Sequence, residues 1–299
     1  MRYKGTVYLV LIIFTVIMMA PVNVHTTTVN QYENTPATVV GSQHTYVLLV
    51  HGYSPGDLSG TPNTGSWTSG VDFEQQLIDR GYTVGVVSYY GTFTVSFSNG
   101  YTYTNSSFFG TANTPIQNIG EQFGIAMEKI FSSGVSNVDI VTHSMGGLVV
   151  LYALEHYRNS HMNIDNVIFI APPFGGSPFA SVAKYLGLSG YVGSEAYQMV
   201  GGSSFLNALD YGAGSAVNNY PNTVWAIFAG NYDPWWGYVF FSGENDGVVS
   251  VASATYLGYN NLFVFPDLHT GSLDGLTWGG ISYFEDQNVA YAMFEVLAS

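Results

Sequence analysis

The chain has 299 residues, enough to bury a full core, and 47% of them are hydrophobic. Only 9% are charged, against roughly 25% in ordinary soluble domains. Six basic residues against twenty acidic ones give a net charge of −14, which repels phosphate backbones and argues against a nucleic-acid partner.

Arg2 and Lys4 precede "VYLVLIIFTVIMMA", an apolar run interrupted only by Thr15 and closed by Pro21. A positive start followed by an apolar stretch is the layout of a secretory signal. Residues 1–24 are therefore expected to be a signal peptide or an N-terminal membrane anchor, with the body secreted or held at the outer face of the cell membrane. A polar linker is expected over residues 25–42, and one domain over 43–299. Zero cysteines leave no disulfide framework, so stability must come from the core.

From Thr45 onward, strand and helix signals alternate. "TYVLLV" is a short β-branched strand that runs into the turn-rich "HGYSPG". "VDFEQQLIDRG" reads as a helix stopped at Gly81, and "YTVGVVSY" as the next strand. The periodicity predicts a helix over "TPIQNIGEQFGIAMEKIFSSG", capped by Thr114 with Pro115 in its first turn. Its apolar face is Ile116, Ile119, Phe123, Ala126, Met127 and Ile130. "NVDIVTH" is a buried strand followed by a helix from Met145 to about Tyr157. "NVIFIAPP", "TVWAIFAG" and "NLFVFP" are further strands, and "DQNVAYAMFEVLA" is a last helix. This alternation predicts an α/β fold: a mainly parallel central sheet with helices on both faces. Two segments look like insertions. One is aromatic-rich, Phe93 to Phe109; the other, Gly175 to Asn219, has the make-up of a lid or acyl-binding wall, with Phe179, Tyr185, Leu186, Leu188, Tyr191 and Phe205.

"VTHSMGG", Val141 to Gly147, is nearly the G-x-S-x-G turn that exposes a nucleophilic serine between a strand and a helix. Gly146 and Gly147 supply the small residues needed where strand and helix approach. Thr142 stands where the first glycine belongs, on the extended strand side, where a β-branched residue is tolerated at a cost of about 1 kcal/mol. Ser144 is thus the candidate nucleophile. A base must take its proton, and in such folds the acid and then the histidine follow the serine along the chain. Of the later histidines, His156 and His161 belong to the helix leaving the turn or to its end, which leaves His269 in "FPDLHTGSL". Asp246 in "GENDGVVSVASA" is the first choice of acid, with Asp233 second and Asp210 third. Backbone N–H groups of Met145 and Tyr53 stand where an oxyanion hole requires donors. His51 comes before the nucleophile and is expected to be structural.

"VLLVHGYSPG", "VDIVTHSMGGLVV", "APPFGGSP", "SEAYQMVGGSSFLNALD" and "NDGVVSVASA" resemble the α/β-hydrolase superfamily, most closely its secreted bacterial lipases and esterases. The resemblance runs from Thr45 to the C-terminus in the family's order. It implies an eight-stranded sheet and the triad Ser144, Asp246 and His269. Some of these lipases bind calcium through an aspartate two residues beyond the histidine; that position is Gly271 here, so neither metal nor cofactor is expected. The expected substrate is a small-molecule or lipid ester with a neutral acyl chain, and contact with a lipid interface is compatible with it. Thioesterase, amidase or perhydrolase activity would use the same triad. A non-catalytic binding protein on this scaffold is the rival from another class, and the intact Ser, Asp and His argue against it.

Overall fold

In the computed structural model, the described residues are 46–54, 65–157, 162–185, 189–234, 241, 243–270, 272–273, 276–277 and 280–299. The expected signal or anchor, the linker, His161, Leu186, Leu188 and Gly271 lie outside them.

Strand β1 (Tyr46–Val50) is apolar throughout, and its last four residues are buried. Leu48 and Val50 enter one hydrophobic cluster while Val47 and Leu49 enter another, as the period of two demands. A strand buried on both faces belongs inside a helix-covered sheet. The sheet has eight strands: β1, β2 (Thr83–Ser88), β3 (Gly91–Phe97), β4 (Thr102–Gly110), β5 (Asn137–His143), β6 (Asn163–Ile170), β7 (Val224–Gly230) and β8 (Asn261–Phe265). Their spatial order is β4-β3-β2-β1-β5-β6-β7-β8. The neighbours β2-β1-β5-β6-β7-β8 all pair in parallel, and β3 alone is reversed, antiparallel to both β2 and β4.

One face is covered by helices α2 (Ile116–Ser132) and α3 (Met145–His156), with α6 (Ser204–Asn219) packed on α3. The other carries α1 (Phe73–Asp79), Trp67 and the C-terminal helix α7 (Gln287–Leu297). Each buried Leu, Ile or Phe in these layers contributes roughly 1.5–3 kcal/mol of transfer free energy. The expected apolar face of α2 is buried in full. Its start differs from expectation. Pro115 is the N-cap and makes no side-chain bond; Thr114 Oγ1 accepts from Thr111 N instead, at 2.9 Å. The Ile116 N–H is met by Gln198 Oε1 at 2.7 Å, so a tertiary partner replaces the local cap.

The two expected insertions separate. Phe93 to Phe109 is not an insertion but the antiparallel pair β3 and β4, which extends the sheet. Phe93, Val95 and Phe97 alternate into the core, so their aromatic character serves packing. Gly175 to Asn219 does leave the sheet, forming α4 (Pro178–Tyr185), α5 (Ser189–Gln198) and α6. Within it Phe205 is buried beside Tyr152, whereas Tyr185 faces solvent.

Register fixes where the site falls. Val50 pairs with Thr142, and His143 with Ile170, so the carboxyl ends of β1, β5 and β6 lie level at the centre of the sheet. Loops leaving those ends form the crevice in which open parallel sheets hold ligands.

Candidate active site

Ser144 joins β5 to α3 with φ 53° and ψ −126°, a conformation that costs a non-glycine residue on the order of 1–3 kcal/mol. It is the N-cap of α3 yet makes no capping bond with its side chain. A serine at an N-cap ordinarily turns its oxygen back onto the helix N–H groups; at these backbone angles Ser144 makes no such bond. The Ser144 N–H is anchored to the Ile170 carbonyl at 2.8 Å. The tight turn requires Gly146: a Cβ there would come within 2.5 Å of the His51 oxygen and 2.6 Å of the Val50 oxygen. Thr142 is fully buried and its hydroxyl donates to the Ile168 carbonyl at 3.3 Å, so the residue in place of the first glycine is accommodated and satisfied.

Asp246 and His269 meet although 23 residues separate them: His269 Nδ1 lies 2.8 Å from Asp246 Oδ2. Both are buried, at 1% and 6% exposure. A second bond, His269 N to the Asp246 carbonyl at 2.9 Å, ties the two loops together. An ionised carboxylate only accepts, so Nδ1 carries the imidazole proton and a neutral His269 keeps a lone pair on Nε2. Asp246 Oδ1 accepts from the N–H groups of Val248 at 2.9 Å and Val249 at 2.7 Å, and Oδ2 also accepts from the Tyr283 hydroxyl at 3.1 Å. The carboxylate is thus fixed at both oxygens.

His143, the residue before Ser144, connects the halves. Its ring centroid is 4.7 Å from that of His269, and its Nε2 lies 3.2 Å from the His269 carbonyl oxygen. Since a carbonyl accepts, Nε2 is the protonated nitrogen of His143. Burial first, and then the charge His269 would carry, hold His143 well below the usual imidazole range, so it stays neutral. The loop after β1 closes on the same point: a Cβ on Gly52 would come within 2.9 Å of Ser144 Cβ. Tyr53 follows Gly52 in that loop, and Met145 opens α3, where a backbone N–H has no preceding helical turn to accept it. His51 stacks on Tyr89 at 3.9 Å and donates from Nδ1 to the Gly52 carbonyl at 2.7 Å. Burial lowers it to about 4, which leaves it neutral and structural.

The other two candidate acids stand elsewhere. Asp233 supports Asn245, next to Asp246, and Asp210 lies on α6. Sequence reasoning missed four groups near the site: His143, Tyr283, Asp267 and the pair Tyr90–Glu195. Tyr90 donates to Glu195 Oε2 at 2.7 Å and accepts from Ser54 N at 3.2 Å, linking the β1 loop to α5. Asp267 is buried against the carboxyl of Asp286, and desolvation followed by that charge pushes it up to about 8. No local pattern marks any of these, except that "DLH" sets a second acid two residues before His269. Among the described residues no cluster of three or more His, Asp and Glu is arranged to hold a metal ion.

Strand order, turn and site together define an α/β-hydrolase fold, and comparison with known proteins bears this out. The mature form of the Bacillus licheniformis lipase BlEst2 superposes with a TM-score of 0.55 at 18% identity, over 90% of this chain and 96% of its own. The metagenomic carboxyl esterase MGS0156 gives 0.52 at 16% identity, over 88% and 79%. A Listeria innocua protein, the product of lin2722, gives 0.50 at 16% identity, over 85% and 94%. A family model, lecithin:cholesterol acyltransferase, matches residues 121–194, which contain β5, Ser144, α3 and β6 but neither Asp246 nor His269. No curated protein matches the sequence.

Proposed function

We propose that the protein is a serine hydrolase that cleaves carboxylic esters through an acyl-enzyme, with Ser144 as nucleophile, His269 as base and Asp246 as the acid that orients it. The observation that carries it is the buried Asp246–His269 hydrogen bond beside a serine held in a strained, non-capping turn. His269 Nε2 takes the proton of Ser144 Oγ as Oγ bonds to the ester carbonyl carbon. The N–H groups of Met145 and Tyr53 stabilise the oxyanion. As the C–O bond breaks, the same nitrogen returns the proton to the leaving alcohol. Water, deprotonated by His269, then attacks the acyl carbon and releases the acid and Ser144. Lipases and esterases among the structural neighbours support the choice of ester.

The acyltransferase family match over the segment around Ser144 favours a second outcome for the same intermediate, capture by an alcohol in place of water. The work is assigned to the outside of the cytoplasm, on the strength of Arg2 and Lys4 ahead of the apolar run. The test is hydrolysis of p-nitrophenyl esters from acetate to hexanoate, with and without added alcohols, together with labelling by an organophosphonate. Activity that rises with chain length and a label on Ser144 alone are expected. A label elsewhere, or none with full activity, would remove the acyl-enzyme. An intact Met1 on cytoplasmic protein, read by mass spectrometry, would remove the export.

A further inference from the structure

Tyr283 is fully buried, and its hydroxyl meets Asp246 on Oδ2, the oxygen that also receives His269. Facing an ionised carboxylate, the phenol must be the donor. Burial, and after it the charge of Asp246, pushes Tyr283 well above the usual phenol range, so it keeps its proton. The contact is built rather than incidental. Leu268 N–H donates to the Ile281 carbonyl at 2.9 Å and Tyr283 N–H to the Leu268 carbonyl at 3.3 Å, which ties this segment to the loop of His269. The neighbouring Phe284 accepts from Val71 N at 2.8 Å and packs on Trp67 and Phe73. On the opposite side, β7 ends in Gly230, where a Cβ would collide with the Tyr283 hydroxyl and come within 2.7 Å of Asp246 Cβ.

Asp246 does not need Tyr283 to be held, because Val248 and Val249 already fix Oδ1. The phenol acts on the one oxygen that faces the base. We propose that Tyr283 is a positioning residue that tempers the Asp246–His269 hydrogen bond and so keeps the base unprotonated further into acid, a role that rests on the triad proposed above. Donation from the phenol draws negative charge off Oδ2, and a less negative Oδ2 stabilises the imidazolium less.

Other titratable groups surround the pair. Asp267 lies on the same loop, Glu285 and Asp286 at the start of α7, His143 at the end of β5 with His51 behind it, and Asp233 and Glu244 beside Asn245. His143 and His51 are neutral through burial, and Asp267, pushed up to about 8, is protonated on the acid side. The remaining carboxylates are common to wild type and to a Tyr283 variant, so a difference between the two profiles reports Tyr283.

The experiment is the pH profile of kcat/KM for a p-nitrophenyl ester with wild type, Tyr283→Phe and Asp246→Asn. In Tyr283→Phe the acid limb should move to higher pH by roughly half a unit, about a threefold loss on that limb, with the plateau changed by less. An unmoved limb in folded Tyr283→Phe, with Asp246→Asn inactive, overturns the role of Tyr283 alone, even if the rate or Tm falls. Full activity in Asp246→Asn overturns the triad and this role with it. Should Tyr283→Phe fail to fold, 3-fluorotyrosine at position 283 keeps the ring and strengthens the donor. It should move the limb to lower pH, and no movement overturns the role.

Discussion

Asp233 holds the residue that precedes Asp246: its Oδ1 accepts from Asn245 N at 2.7 Å and from Asn245 Nδ2 at 3.1 Å. Asp233 does so at φ 50°, a backbone conformation that asparagine and aspartate tolerate better than most residues. The two leading candidate acids therefore occupy one loop system, one bonded to His269 and the other bracing it. Asp246→Asn should lower kcat by about a thousandfold or more, because an amide no longer selects the required histidine tautomer. Asp233→Asn keeps an oxygen for Asn245 and should cost less than about tenfold. Steady-state kinetics on both variants decides between them. A larger loss in Asp233→Asn would transfer the role of acid.

Much of this fold was legible because its strands are short β-branched runs and its helices carry clear apolar faces. The turn at Ser144 was legible because close approach leaves a local signature, Gly146 and Gly147. The antiparallel pair β3–β4 looks like an insertion in the sequence because the aromatic residues of "FTVSFSNGYTYTNSSFF" mask its period of two. The capping role that local sequence suggests for Thr114 is filled by Gln198, 82 residues from Ile116. Tyr283 escaped for the same reason. Its partner Asp246 is 37 residues away, and a contact of that range leaves no spacing to read.

The strain at Ser144 can be measured. Ser144→Gly relieves a positive φ and should raise stability by about 1 kcal/mol in urea unfolding, while ester hydrolysis and phosphonate labelling disappear. Ser144→Ala should lose activity equally without that gain, since alanine keeps the Cβ. Equal stabilities for the two variants would mean that the backbone relaxes once the hydroxyl is gone.

Asp267 should make the protein less stable as pH rises. No donor among the described residues reaches its Oδ2, and its carboxyl lies against Asp286, an arrangement that requires a proton on the pair. Its folded pKa of about 8 stands above an unfolded value near 3.9. Between those values this carboxyl binds more protons in the folded than in the unfolded state, so its contribution to stability falls from about pH 4 to pH 8 and is constant outside that window. Asp267→Asn can donate to Asp286 without a titrating proton. It should raise stability at pH 8 by an amount on the order of a few kcal/mol and leave pH 4 nearly unchanged. Tm of both proteins across this range is the measurement. Parallel curves would mean that Asp267 does not titrate there.

The Tyr90 hydroxyl joins the loop after β1 to α5. Tyr90 accepts the Ser54 N–H and donates to Glu195 Oε2, and Ser54 follows Tyr53, the proposed oxyanion donor. Tyr90→Phe removes the acceptor from Ser54 and the donor from a buried carboxylate, a loss worth about 1–3 kcal/mol of stability. A misaimed oxyanion donor weakens transition-state binding more than ground-state binding, so kcat should fall by about tenfold while KM changes little. Glu195→Gln preserves an acceptor for the Tyr90 hydroxyl and should show the same pattern more weakly. If instead Tyr90→Phe raises KM at constant kcat, the helices between Gly175 and Asn219 act on substrate binding, and the loop after β1 holds its donor without them.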